Sequence, residues 1–220
     1  LANLPNLAGK DFIIMWDNAY AAHDLDPRTM PLTNLTARAQ AAQTAHQIAL
    51  FASTSKIPFA GAGLAFCGLS EPMLQGFETF LTPQMIGFDK VNQLRHARLL
   101  KDSNDIAKHM AAHRVILEPK FQRVQEKLMP LAEADLATWS KPGGGYFVSL
   151  DLKAASATQV IALANAAGVK LTPAGATFPY GHDPEDKNIR IAPSFPDMME
   201  LDQALDVLVC CIVKASEMDR

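Results

Sequence analysis

Two short, nearly continuous apolar runs constrain this chain most: residues 11–16 (DFIIMW) and residues 47–52 (QIALFA). Runs of that length and continuity read as strands buried on both faces. Between them, from about Thr33 to Thr44, lies an Ala- and Gln-rich stretch that reads as a helix. A strand, a helical connection and a second strand imply a parallel sheet of the α/β type. Ligands bind such sheets beyond the carboxyl ends of the strands. The first run closes on Asp17-Asn18 and the second on Ser53-Thr54-Ser55-Lys56, so the candidate chemistry falls at those ends.

A third apolar run, residues 63–68 (GLAFCG), follows a Gly-rich turn, and helices are predicted over 71–81 and 90–100. The longest helical pattern covers about 104–128. There Ile106, Met110, Ile116, Leu117, Phe121, Val124 and Leu128 recur at three- and four-residue spacing. Pro119 lies inside this pattern and is expected to kink it, because it removes a donor and crowds the preceding turn. Beyond it, strands at 136–139 and 146–150 flank the turn Lys141-Pro142-Gly143-Gly144-Gly145. A helix over 157–167, a short strand at 169–172, a strand at 188–192 and a last helix over 196–215 complete the pattern. This second part is α+β in character. The expected division is therefore 1–103, largely a parallel sheet, and 104–220, opened by the long helix.

Composition excludes several functions. With 20 basic against 23 acidic residues and a formal charge of -3, no basic face is available for nucleic acid. No run reaches the roughly 18 apolar residues of a membrane span, and no signal peptide opens the chain. Cys67, Cys210 and Cys211 do not make a disulfide framework, and reduced thiols in a cytoplasmic protein are the expectation. No metal site is expected. His23, His96, His109, His113 and His182 lack partners at ligand spacing, and the Gly61-Ala62-Gly63 and Gly143-Gly144-Gly145 runs fit neither a P-loop nor a dinucleotide fingerprint.

Lys56 follows two hydroxyl residues and precedes Ile57-Pro58-Phe59, surroundings expected to desolvate its amine and favour attack on a carbonyl. The plainer alternative is a solvated lysine after a strand. Asp17, with Tyr20 three residues later, offers a carboxylate for a cationic ring nitrogen and a phenol for a ring oxygen; it also suits a simple turn cap. Ser53 and Ser55 offer hydroxyls for a phosphate. Arg190 sits between apolar neighbours in a predicted strand, where its planar fork suits either a substrate carboxylate or an internal salt bridge.

The order of these signals, Asp-x-x-Tyr, then Ser-Thr-Ser-Lys, then a late Arg, resembles the fold type I aminotransferases (class I/II), which use pyridoxal 5′-phosphate (PLP). The segments WDNAYAAHDL (16–25), FASTSKI (51–57), GGYFVSLD (144–151) and LTPAGATFPY (171–180) resemble a bacterial group described as MocR-like aspartate aminotransferases. The resemblance covers essentially the whole chain. It implies the C-terminal part of a PLP-binding large domain over 1–103, joined by the long kinked helix to a small α+β domain over 104–220. Lys56 would then anchor the cofactor and carry the catalytic proton, and Asp17 would pair with the pyridine nitrogen. Tyr20 would bond the ring oxygen, Ser53 and Ser55 would hold the phosphate, and Arg190 would grip the substrate carboxylate. The implied activity moves an amino group between aspartate or glutamate and a 2-oxo acid, in a cytoplasmic homodimer whose site also needs an N-terminal half. The phosphate arginine that many members place after the lysine is absent; Gly63-Leu64-Ala65-Phe66 stands there. MocR-type regulators suggest a second role, as a PLP- or amino-acid-sensing effector domain.

Overall fold

The computed structural model describes residues 1–26, 28–58 and 61–218. They form two compact units, Leu1–Ala22 with Met30–Ala111, and His23–Thr29 with Ala112–Arg220. The division lies inside the long helix rather than before it, and the segment 23–29 belongs with the second unit.

In the first unit, α1 (Leu4–Ala8) leads to β1 (Ile14–Asp17), α2 (Leu35–Ala41), β2 (Ile48–Ser53) and β3 (Ala65–Gly68). The helices α3 (Glu71–Leu81) and α4 (Lys90–Leu99) follow. Asn34 caps α2 by accepting the N–H of Ala37, and Asp89 caps α4 by accepting that of Asn92. The sheet order is β1-β2-β3. β1 and β2 are parallel, with Asp17 opposite Phe51, as a strand–helix–strand unit requires. β3 runs antiparallel to β2. Its connection, residues 54–64, is shorter than the dozen or so residues a parallel crossover needs.

Burial on both faces, expected of the first apolar run, does not occur. β1 is an edge strand whose residues alternate between half-buried and exposed, with Met15 75% exposed. The central strand β2 buries Ile48 and Ala49. Buried Gln47 fixes the entry to β1, its side-chain amide donating to the carbonyls of Gly9 (3.0 Å) and Phe12 (2.7 Å).

The helix α5 (Ser103–Glu133) continues past Pro119 and Pro130, each of which lacks the N–H that would bond the carbonyl one turn back. In the second unit its stripe of Phe121, Val124, Leu128 and Leu131 is buried. Ile116 is 63% exposed, because it lies about a quarter turn away from that stripe. The stripe packs with β4 (Ala137–Trp139), β5 (Val148–Leu152), α6 (Ala157–Ala166), β6 (Asn188–Ile191) and α7 (Met198–Met218). The sheet β4-β5-β6 is antiparallel throughout, and β5 alternates cleanly, burying Val148, Leu150 and Leu152. Each such burial contributes about 1.5–3 kcal/mol. Residues 169–172 form no strand. Gly168 turns the chain after α6 with φ +89°, and among the described residues the sheet β4-β5-β6 takes in no fourth strand. Asp197 and Glu200 exchange backbone bonds as a capping box at the start of α7. Among the described residues no helix is long and apolar enough to cross a membrane.

Candidate active site

Parallel pairing brings the carboxyl ends of β1 and β2 to one edge of the first unit's sheet. Asp17 ends β1, and Ser53 ends β2, followed at once by Ser55 and Lys56. The pairing extends one step further, with Asn18 donating its N–H to Phe51 at 2.8 Å. Tyr20 comes back over this edge, and the Lys56 Nζ lies 4.8 Å from its ring centroid. Lys56 and Tyr20, distant in sequence, are therefore neighbours.

Asp17 is exposed, and its Oδ1 accepts the N–H of Ala19 at 3.1 Å, so it does cap the turn after β1. Ser53 Oγ accepts the N–H of Ser55 at 3.4 Å. Lys56 is exposed as well, which corrects the expectation that its sequence neighbours would desolvate it. Ile57 is buried while Lys56 beside it is not, and Phe59 lies outside the described residues.

The turn that carries Lys56 is held by groups the sequence did not single out for this purpose. Thr54 O accepts the Ile57 N–H at 2.9 Å, closing the turn. Thr54 Oγ1 meets the buried His96 Nε2 at 2.8 Å, and Ile57 O meets His109 Nε2 at 2.7 Å. Gly63 is required here by a close approach, since a Cβ on it would lie 2.6 Å from the Ser55 Cα.

Arg190 belongs to the second unit, on β6. Its guanidinium carbon lies 4.5 Å from the Phe147 ring centroid, and its Nε donates to Thr172 Oγ1 at 3.3 Å. Among the described residues no carboxylate forms an ion pair with it, so the internal salt bridge allowed by the sequence is not formed. Arg190 lines a cavity of about 630 Å³ together with Leu171, Thr172, Phe195 and Leu201. Buried Lys120 donates to the carbonyls of Ser194 (2.9 Å) and Pro196 (2.5 Å), fixing the loop that leaves β6. The segment 23–29 is tied to the glycine run: Leu25 donates to Gly143 O at 2.8 Å, and Gly145 donates to His23 O at 2.8 Å. A Cβ at Gly143 would sit 2.4 Å from Thr29 Oγ1, so this run is a docking strip as well as a turn.

The turn before β6 depends on Asp183. Burial pushes its carboxyl upward, but N–H donors from Asn188, Glu185 and Lys187 outweigh it and hold the group below the usual carboxylate range. A lowered native value gives stability that is present above the unfolded value, near 3.9, and is lost as pH falls through the native one. Thermal unfolding followed from pH 5 downward is expected to show this loss, and Asp183→Asn is expected to flatten it.

This arrangement belongs to a known family. The chain matches the family described as aspartate amino-transferase over residues 1–220 and is a member of it. It is 45% identical over 217 residues to a Mycolicibacterium smegmatis protein provisionally named an aminotransferase, covering 98% of this chain and 50% of that one. It is 40% identical over 210 residues to the aspartate aminotransferase of Corynebacterium glutamicum, covering 95% of this chain and 49% of that one. The crystal structure of an aspartate transaminase from the same organism superposes with a TM-score of 0.91 at 40% identity, covering 97% of this chain and 51% of that one. The chain therefore spans about half the length of the relatives it matches, consistent with the C-terminal half of a fold type I aminotransferase. At 19% identity, the fold alone is shared with LysN, an α-aminoadipate aminotransferase from Thermus thermophilus solved with N-(5′-phosphopyridoxyl)-L-leucine (TM-score 0.80; 99% of this chain and 54% of that one).

Proposed function

We propose that this chain supplies the lysine-bearing part of a PLP-dependent aminotransferase that moves an amino group between aspartate or glutamate and a 2-oxo acid. The observation that carries this reading is the set Asp17, Tyr20, Ser53, Ser55 and Lys56 at one edge of one sheet, with Tyr20 beside the Lys56 amine. That donor set fits PLP: a carboxylate for the ring nitrogen, a phenol for the ring oxygen, hydroxyls for the phosphate and a primary amine. When bound, PLP supplies an electron sink for the pair released as the substrate's α-C–H bond breaks.

The chain's own groups supply the rest. Lys56 Nζ would be the covalent anchor and the base that takes the substrate's α-proton and returns it. Asp17 keeps a proton on the ring nitrogen. Tyr20 donates to the ring oxygen, and Ser53 and Ser55 donate to the phosphate in place of the absent arginine after the lysine. Arg190 binds the substrate α-carboxylate, which orients the bond to be broken. The acidic substrate is supported by the name of the Corynebacterium glutamicum relative. The exposed apolar residues of the first unit, among them Met15, Phe66, Phe80 and Phe88, support a protein in which further chain and a second subunit cover that unit. A cytoplasmic homodimer is the corresponding assembly.

Formation of oxaloacetate from aspartate and 2-oxoglutarate by the full-length protein tests this directly. Asp17→Ala is expected to slow it roughly a hundredfold and to weaken cofactor retention, since a lost preorganised charge costs that much. Unchanged kinetics would make Asp17 a turn cap only, and no transfer from either acidic donor would remove the proposed substrate.

A further inference from the structure

We propose that Thr54, His96 and His109 are positioning residues that clamp the Lys56 turn from two helices and so fix the direction in which its amine is presented. The inference rests on the reading of Lys56 as the cofactor's anchor.

The backbone explains why a clamp is needed. Lys56 occupies the third position of the turn closed by Thr54 O and Ile57 N–H, just beyond the last rung of the β2–β3 ladder. Because Thr54 O is engaged in that turn, it is the Thr54 side chain that meets the Leu64 N–H, at 2.8 Å, while Thr54 N–H donates to Leu64 O at 2.9 Å. A hydroxyl thus stands in for a backbone carbonyl at the rung next to the lysine. Having accepted from Leu64, Thr54 Oγ1 directs its own hydrogen to His96 Nε2, 2.8 Å away.

The acceptor is itself held. His96 Nδ1 lies 2.9 Å from Asn92 O, and since a carbonyl only accepts, the proton of the neutral ring sits on Nδ1 and leaves Nε2 to accept. His96 is 9% exposed on α4, so water competes little for these bonds. Asn92 also reaches the other arm of the loop, its Nδ2 donating to Ala62 O (3.1 Å) and Gly63 O (3.3 Å). Gly63 in turn touches Ser55 where no side chain would fit. The far end of the turn is held independently, with His109 Nε2 on α5 donating to Ile57 O at 2.7 Å. Both carbonyls of the turn's terminal residues, and the hydroxyl of the first, are committed. Lys56 is left as the exposed residue between two fixed points.

The test is an equilibrium titration of the full-length protein with PLP, following the absorbance of the lysine-bound cofactor, with kcat and KM measured alongside. T54V keeps the shape of Thr54 and removes its hydroxyl, H96L removes the ring acceptor, and T54S restores the hydroxyl. T54V and H96L are expected to weaken PLP binding about tenfold, as loss of a buried hydrogen bond does. They are expected to lower kcat with KM for the amino donor unchanged, while T54S stays within about twofold of wild type because its hydroxyl still reaches His96. Wild-type binding by T54V and H96L, or a T54S protein as impaired as T54V, would overturn the clamp. If T54V does not fold, H109L, which cuts the other arm, is read in the same way. A lysine-bound absorbance that persists in K56A would refute the anchor assignment itself, and so separates the two claims.

Discussion

Replacing Lys56 with alanine is expected to abolish amino transfer. The side chain is assigned two duties, holding the cofactor and shuttling the α-proton, and alanine can do neither. General acid–base work alone is worth about 10²- to 10⁴-fold, so a loss of roughly ten-thousandfold or more is the expectation, with an intact fold. The fold should survive because Lys56 is exposed and its turn is closed by Thr54 and Ile57. Steady-state transamination together with circular dichroism checks both halves. Activity within about tenfold of wild type would sink the assignment, since no such residual rate is compatible with loss of the essential base.

Arg190→Ala is expected to act on substrate binding. In the structure the guanidinium is stacked on Phe147, its Nε donates to Thr172, Arg190 lines a cavity, and among the described residues no carboxylate is paired to it. Its fork is thus oriented by the protein and available to an anion. Removing one partner of a desolvated carboxylate–guanidinium pair costs about 2–5 kcal/mol, so kcat/KM for amino-acid donors should fall at least about thirtyfold and by as much as a few thousandfold, mostly through KM. Lysine in its place should recover only part of this, because a point charge lacks the bidentate geometry. An effect seen in thermal stability alone would show that Arg190 serves only its contacts with Phe147 and Thr172.

What the sequence revealed follows from the range over which its signals act. The parallel pairing of β1 with β2 was legible because two apolar runs flank a helical stretch, and their polar closures placed Asp17 and Lys56 at one sheet edge. The long helix was legible from its apolar stripe, although Ile116 was misplaced by one position on the helical wheel. The neighbours of Lys56 were a poor guide to its solvent exposure, which depends on what crosses it in space. The Thr54–His96 bond joins residues 42 apart, and the Thr29–Gly143 bond joins residues 114 apart. Neither leaves any periodic trace in the chain. Lys120 was invisible for another reason: its partners are the backbone carbonyls of Ser194 and Pro196, which have no side-chain signature.

Borohydride reduction of the full-length, PLP-supplied protein, followed by peptide mapping by mass spectrometry, tests the central claim most directly. A pyridoxyl adduct is expected on the peptide that contains Lys56, and none on that peptide from Lys56→Ala protein. An unmodified Lys56 in folded, PLP-supplied protein would contradict it, leaving a shared fold without the family's chemistry.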